Sequence, residues 1–332
     1  MKHYCTYFDS NYLAIGLSLY QSLLDHEKDF QLWILCLDEA CLTTLTGKNL
    51  SNIRLISLGQ LEQSEPALAD AKSNRSIIEY YFTCTASFMA YLFSSHKSIE
   101  FLTYLDSDLF FFDSTESIYS EIADASIAII AHRYSAHLST MRQYGDFNVG
   151  WVSFRRDQQG QQCLLEWKTQ CLDWCYDSVE ETRFADQKYL NNWPQKFSQL
   201  TVIGHKGANV APWNLSNYPP RIKQGKLYFD NQPLVFFHFH GLKQMQGRLY
   251  DTGLGLLRVR LTPLAKRHIY LPYLRCLRNQ QLAAGLISKN SSSQPRPVEK
   301  PHQSLSIKNF FKRIVIVLYS LLVSRCYLLA DK

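Results

Sequence analysis

FLTYLDSDLFFFD, residues 101 to 113, is an apolar run broken by two carboxylates, Asp106 and Asp108, with one serine between them. Burying two like charges this close is costly unless a cation or a set of donors compensates them. In an extended strand alternate side chains point the same way, so both carboxylates converge on one site at the end of the strand. A hard divalent cation, Mn²⁺ or Mg²⁺, suits such oxygen ligands and often bridges to substrate phosphates. The plainer alternative is a pair of aspartates capping the next turn, but a cap does not need two acids at the mouth of a buried strand.

The segments around this strand repeat one pattern. HYCTYF (3 to 8), FQLWILCLD (30 to 38), NIRLISL (52 to 58), SIAIIAH (126 to 132) and FNVGWVSF (147 to 154) read as short apolar strands. Between them, residues 13 to 26 and 77 to 95 carry apolar side chains at helical spacing, and ACLTTLTGKNL reads as a shorter helix. Strands separated by helices of 10 to 15 residues predict βαβ units and an α/β fold with a mostly parallel sheet. Strands that are apolar throughout, rather than alternating, predict a sheet covered on both faces. Ligands in such folds sit beyond the carboxyl ends of the strands, where Asp106 and Asp108 lie.

The chain has 332 residues, 46% of them hydrophobic and 19% charged, which suits a globular enzyme-sized protein. Nine cysteines without a CxxC pair predict reduced thiols and a cytoplasmic setting, and MKHYCTYFD has no secretory-signal pattern. Cys171 and Cys175, four apart on a helix, read as packed small side chains rather than metal ligands. The net charge of +6 is uneven: residues 252 to 332 hold 14 Lys and Arg against Glu299 and Asp331, and the preceding 251 are mildly acidic. Residues 1 to 286 read as one catalytic domain, 287 to 305 as a polar, proline-rich linker, and 306 to 332 as an apolar-basic, amphipathic helical tail. IVIVLYSLLV (314 to 323) is too short to cross a bilayer, which takes about 20 apolar residues. With Lys308, Lys312 and Arg313 before it, the tail reads as an interfacial helix for an anionic membrane surface at the inner face of the membrane. A terminal helix packed on the enzyme itself is the competing reading, and nucleic acid is not expected.

Five segments taken in order resemble nucleotide-sugar glycosyltransferases of the GT-A (Rossmann-like) fold, most closely glycosyltransferase family 8 and related bacterial enzymes. They are TYFDSNY (6 to 12), YLDSDLFFF, GDFNVGWVSF (145 to 154), FADQKYLNNW (184 to 193) and HFHGLK (238 to 243). The resemblance implies a metal held by Asp106, Asp108 and His238. It implies a nucleotide pocket lined by Thr6, Phe8, Asp9, Asn11 and Tyr12, with Lys243 reaching a phosphate. It further implies that Asn148 and Asp186 hold the donor sugar and that Gln187 lies near the anomeric carbon. Lys243 follows Gly241 by two residues, where the family leaves a longer gap. His240 shares a strand face with His238 and is an alternative ligand.

The function implied is metal-dependent transfer of a sugar, from a UDP-sugar in the first instance, to a glycan or lipid-linked acceptor. A neutral glutamine beside the anomeric carbon favours retention, whereas inversion would need a general base such as Asp186. Trp151, Trp193 and Trp213 read equally as sugar platforms and as core. A haloacid-dehalogenase-like phosphatase also places Asp-x-Asp after a buried strand, but a small residue and a threonine usually follow, and here Leu109-Phe110-Phe111-Phe112 does. A non-catalytic nucleotide-sugar or polyanion-binding protein is the reading from a different class.

Overall fold

The computed structural model describes residues 1–287 and 326–328. Seven strands form the central sheet: Lys2–Phe8 (β1), Phe30–Cys36 (β2), Ile53–Ser57 (β3), Phe101–Leu105 (β4), Ile127–Ala131 (β6), Phe147–Arg155 (β7) and Leu200–Ile203 (β8). Their spatial order is β3-β2-β1-β4-β7-β6-β8. All pairings are parallel except those of β7, which runs antiparallel to β4 and β6. The α/β class and the mostly parallel sheet follow the expectation from the sequence. The reversed strand does not: apolar patterning carries no direction.

The reversal matters for function. It puts the beginning of β7, residues 147 to 150, at the same sheet edge as the carboxyl ends of β1 and β4. Between β6 and β7 the register jumps, with Ile129 opposite Val152 but Ile130 opposite Asn148. The intervening stretch of β7 turns to β4 instead, where Trp151 pairs with Leu105 and the Gly150 carbonyl accepts the Asp106 amide at 3.2 Å.

Both sheet faces are covered. On one, Cys5, Trp33, Leu35, Leu102 and Tyr104 pack under the helices Ile77–Ser95 and Gln158–Asp173. On the other, Tyr4, Phe8, Ile34 and Leu105 pack with Leu17 and Leu23 of the helix Leu13–His26. The helix Ile77–Ser95 starts at a capping box in which Ser76 and Glu79 satisfy each other's backbone amides. The cysteines from Cys5 to Cys276 are free thiols, and Cys171 and Cys175 are fully buried in the core.

Smaller sheets finish the edge. Leu109–Phe111 (β5) pairs antiparallel with Phe236–His238 (β12), and Arg221–Lys223 (β9), Lys226–Phe229 (β10) and Gln232–Pro233 (β11) form a three-stranded sheet beside them. A third core of Phe110, Phe237, Phe239, Tyr270 and Tyr273 anchors β5 and β12 to the helix Leu271–Ala283, with Phe239 and Tyr273 stacked 3.7 Å apart. Lys243–Gln246 (β13), Leu249–Asp251 (β14) and Cys326–Leu328 (β15) make the last sheet. Those three residues, which are extended, are all that is described of the expected tail; the linker and the apolar run lie outside the described residues. Among the described residues no helix is long and apolar enough to cross a membrane.

Candidate active site

Asp106 and Asp108 fill the turn between β4 and β5, and both neighbouring strands hold that turn. The Asp106 amide donates to Gly150 in β7, and the Asp108 carbonyl accepts the Phe239 amide at 2.9 Å just past β12. The pairing of His238 with Leu109 then brings the imidazole against the acids. His238 Nε2 lies 3.0 Å from Asp108 Oδ1 and 3.6 Å from Asp106 Oδ2. The carboxylates keep 29% and 22% of their side-chain surface exposed, whereas His238 keeps 3%, so the acids face the opening and the histidine forms its floor.

The second oxygen of Asp106, Oδ1, accepts the Tyr104 hydroxyl at 2.9 Å. Burial and the charge of Asp108, opposed by His238, raise the Asp106 carboxyl to about 6. Burial acts the same way on Asp108, but the positive His238 outweighs it and holds that carboxyl low. Burial disfavours the His238 imidazolium, yet Asp108 raises its pKa overall. Two acids and an imidazole thus face one another across the place a cation would take. His240 is close as well: single ligand atoms of Asp108, His238 and His240 all lie within 4.8 Å of one another. Two carboxylates and an imidazole form an oxygen-rich donor set with one nitrogen, which fits Mn²⁺ or Mg²⁺.

The Asn-x-Gly of β7 has a tight local reason. Asn148 Oδ1 accepts the Gly150 amide at 3.0 Å and lies 3.2 Å from His238 Nδ1. A β-carbon at Gly150 would stand 2.5 Å from that oxygen and 3.0 Å from the ring nitrogen, so only glycine leaves room for the contact. Asn148 is itself buried, its Nδ2 3.3 Å from Nε2 of buried His132.

Asp186 is buried, and its carboxylate accepts the Thr85 hydroxyl at 3.0 Å. Burial, and then the charge of Asp106, push it up to about 7. It lies before the short 3₁₀ turn Lys188–Asn192. Gln187 is half-buried and donates to the Tyr144 carbonyl at 2.8 Å. Asp9, Asn11 and Tyr12 form an exposed turn after β1, in which Asp9 Oδ1 accepts the backbone amides of Asn11 and Tyr12, both at 3.0 Å. The Tyr12 hydroxyl feels the charge of Asp108. Thr6 and Phe8 are buried behind this turn, and the Thr6 hydroxyl has no hydrogen-bond partner. Lys243 is exposed on β13, near enough to His240 for its charge to lower the His240 pKa, after burial and His238. Trp151 and Trp193 are core residues, and Trp213 stands edge-on to His238 and His240, at 5.1 and 5.6 Å.

Sequence reasoning missed Tyr104, Thr85 and His132. His132 carried a readable signal, because it is a polar residue at the carboxyl end of a buried strand, as Asp106 is. The two tyrosines Tyr7 and Tyr104, 5.6 Å apart, gave none, since buried tyrosine is ordinary core.

Fold and site together define an α/β protein with a carboxylate–imidazole cluster at the carboxyl edge of its sheet. No protein-family model matches the chain. It is 31% identical over 242 residues to the uncharacterized protein YfnD of Bacillus subtilis strain 168, covering 72% of this chain and 77% of that one. It is 30% identical over 248 residues to the uncharacterized protein YfnF of the same organism, covering 72% and 81%. The chain belongs to the family of these two proteins. Among solved structures it is similar to the galactosyltransferase LgtC in complex with donor and acceptor sugar analogues. That alignment covers 72% of this chain and 87% of the other, at 17% identity and a TM-score of 0.49.

Proposed function

We propose that the chain is a metal-dependent glycosyltransferase that moves a sugar, with retention, from a nucleotide-diphosphate donor to a glycan or lipid-linked acceptor, with a UDP-sugar as the expected donor. The observation that carries this reading is the convergence of Asp106, Asp108 and His238 at the sheet's carboxyl edge, with the Asp9–Tyr12 turn and Asp186 around them. Asp106, Asp108 and His238 would hold Mn²⁺ or Mg²⁺, with His240 in reach. Such an ion supplies charge stabilisation to a departing diphosphate.

The chain's own residues do the rest. The Asp9–Tyr12 turn offers a ribose and base platform, and Lys243 adds a positive charge on the phosphate side. Asp186 and Gln187 approach the sugar, and neither is a free, exposed carboxylate able to act as an external base, which favours retention. Asp186, about half protonated near pH 7, can in its neutral form donate a hydrogen bond to a sugar hydroxyl as well as accept one. Residues 306 to 332 complete the reading as a contact with an anionic membrane surface. Sedimentation with anionic liposomes, full chain against a chain ending at 287, tests that part; equal binding would remove it.

The enzyme reading is tested with a panel of nucleotide sugars and Mn²⁺, scoring release of labelled sugar to water or to acceptor. Turnover of one UDP-sugar is expected, with a product that keeps the donor's anomeric configuration. Release of inorganic phosphate from simple phosphomonoesters would point to a phosphatase instead, and donor binding without turnover to a binding protein.

A further inference from the structure

The hydrogen-bond chain behind His238 contains a fixed point. The Gly150 backbone amide can only donate, so the Asn148 side-chain atom 3.0 Å from it must be the oxygen. That same oxygen lies 3.2 Å from His238 Nδ1, which must then carry a hydrogen. With Nδ1 committed to Asn148, the lone pair left for a cation is on Nε2, the atom that faces Asp108 at 3.0 Å and Asp106 at 3.6 Å. The other end of the amide is equally determined. Asn148 Nδ2 can only donate, so His132 Nε2, 3.3 Å away, accepts, and the ring hydrogen falls on His132 Nδ1, a buried atom without a hydrogen-bond partner. His132 is placed for this by its stack on Tyr134, at 4.5 Å and 10°, and by the edge of Trp213, and its backbone carbonyl accepts from Asn214 Nδ2 at 2.8 Å.

We infer that His132 is a positioning residue: by accepting from the Asn148 amide it joins the Gly150 N–H in holding which way that amide faces, and so which nitrogen of His238 is presented to Asp106 and Asp108. The inference rests on the metal reading proposed above. Without an acceptor at position 132, only the Gly150 N–H opposes rotation of the Asn148 amide, and whenever the amide turns over its NH₂ faces Nδ1 and drives His238 to the tautomer whose Nε2 carries hydrogen. Outer partners of this kind set ligand orientation and are worth about 10- to 100-fold in metal affinity.

The test uses the full chain and Mn²⁺ alone, titrated by calorimetry. His132→Phe keeps the stacking and removes the acceptor, and should weaken Mn²⁺ binding about tenfold or more with the melting temperature little changed. His132→Gln returns an acceptor and should recover most of that loss. The double variant His132→Phe/Asn148→Ala should bind no worse than Asn148→Ala alone, because His132 acts only through the amide. Wild-type affinity in His132→Phe, no rescue by glutamine, or additive losses in the double variant would overturn the inference. A second measurement needs no variant. Imidazole ¹⁵N spectra of the wild type with saturating Mg²⁺ should show His238 protonated at Nδ1 and His132 bare at Nε2, and the opposite pattern at either ring overturns the assignment. Wild-type protein that binds neither ion would instead overturn the metal reading itself.

Discussion

Gly150 and Asp186 illustrate how single positions serve the site at a cost to the fold. A methyl at Gly150 would drive into Asn148 Oδ1 and crowd His238, so Gly150→Ala should abolish Mn²⁺-dependent transfer while circular dichroism stays that of the folded protein. Wild-type activity in that variant would show that the Asn148–His238 contact is dispensable. Asp186 is a buried carboxyl whose pKa is raised to about 7, so the fold favours its neutral form. The stability this contributes is complete below about pH 4 and is lost as pH rises through about 7. Asp186→Asn mimics the neutral acid. It should therefore raise the melting temperature of the metal-free protein by several degrees at pH 8, with the gain vanishing near pH 4, and should reduce transfer. An unchanged pH–stability curve would contradict this assignment of the burial cost. Asp106 and Asp108 were legible in the sequence because acids seldom close an apolar strand. His132 carried the same kind of signal at the end of its strand, whereas Tyr104 was not legible, because its meaning depends on which partner the fold sets beside it.

At the scale of elements, the helices over 13 to 26 and 77 to 95 emerged where the sequence placed them, since an apolar stripe of four or five turns is the strongest local signal available. The segment around 188 to 192 is a short 3₁₀ turn, and its structure answers to tertiary contacts that a local pattern does not carry. The same holds for β12, only three residues long, which pairs with β5 and delivers His238 to Asp108. Its anchor is Phe237, fully buried against Tyr270 and Phe239. Phe237→Ala should cost about 3–5 kcal/mol in chemical denaturation. It should also weaken Mn²⁺ binding, because loosening β12 frees His238 from the acids. A destabilised variant that binds Mn²⁺ as tightly as wild type would show that the β5–β12 pairing does not position the ligand.

For the whole molecule, the sheet collects on one edge groups that are far apart in sequence: Asp9 and Tyr12 after β1, Asp106 and Asp108 after β4, Asn148 at the start of the reversed β7, and His238 at the end of β12. The mostly parallel sheet was legible from alternating apolar segments, whereas the reversal of β7 was not, and it is this reversal that supplies Asn148 and Gly150 to the site. Family membership with YfnD and YfnF extends over 72% of the chain in each comparison, so the same arrangement can be tested in those proteins. The most direct measurement of the central claim is calorimetric titration of Mn²⁺, in the presence of UDP, into wild-type protein, Asp106→Ala and Asp108→Ala. One ion per chain is expected for the wild type, with affinity falling as pH drops below about 6, where Asp106 takes up a proton, and binding lost in both variants. Equal Mn²⁺ affinity in wild type and either variant would contradict it.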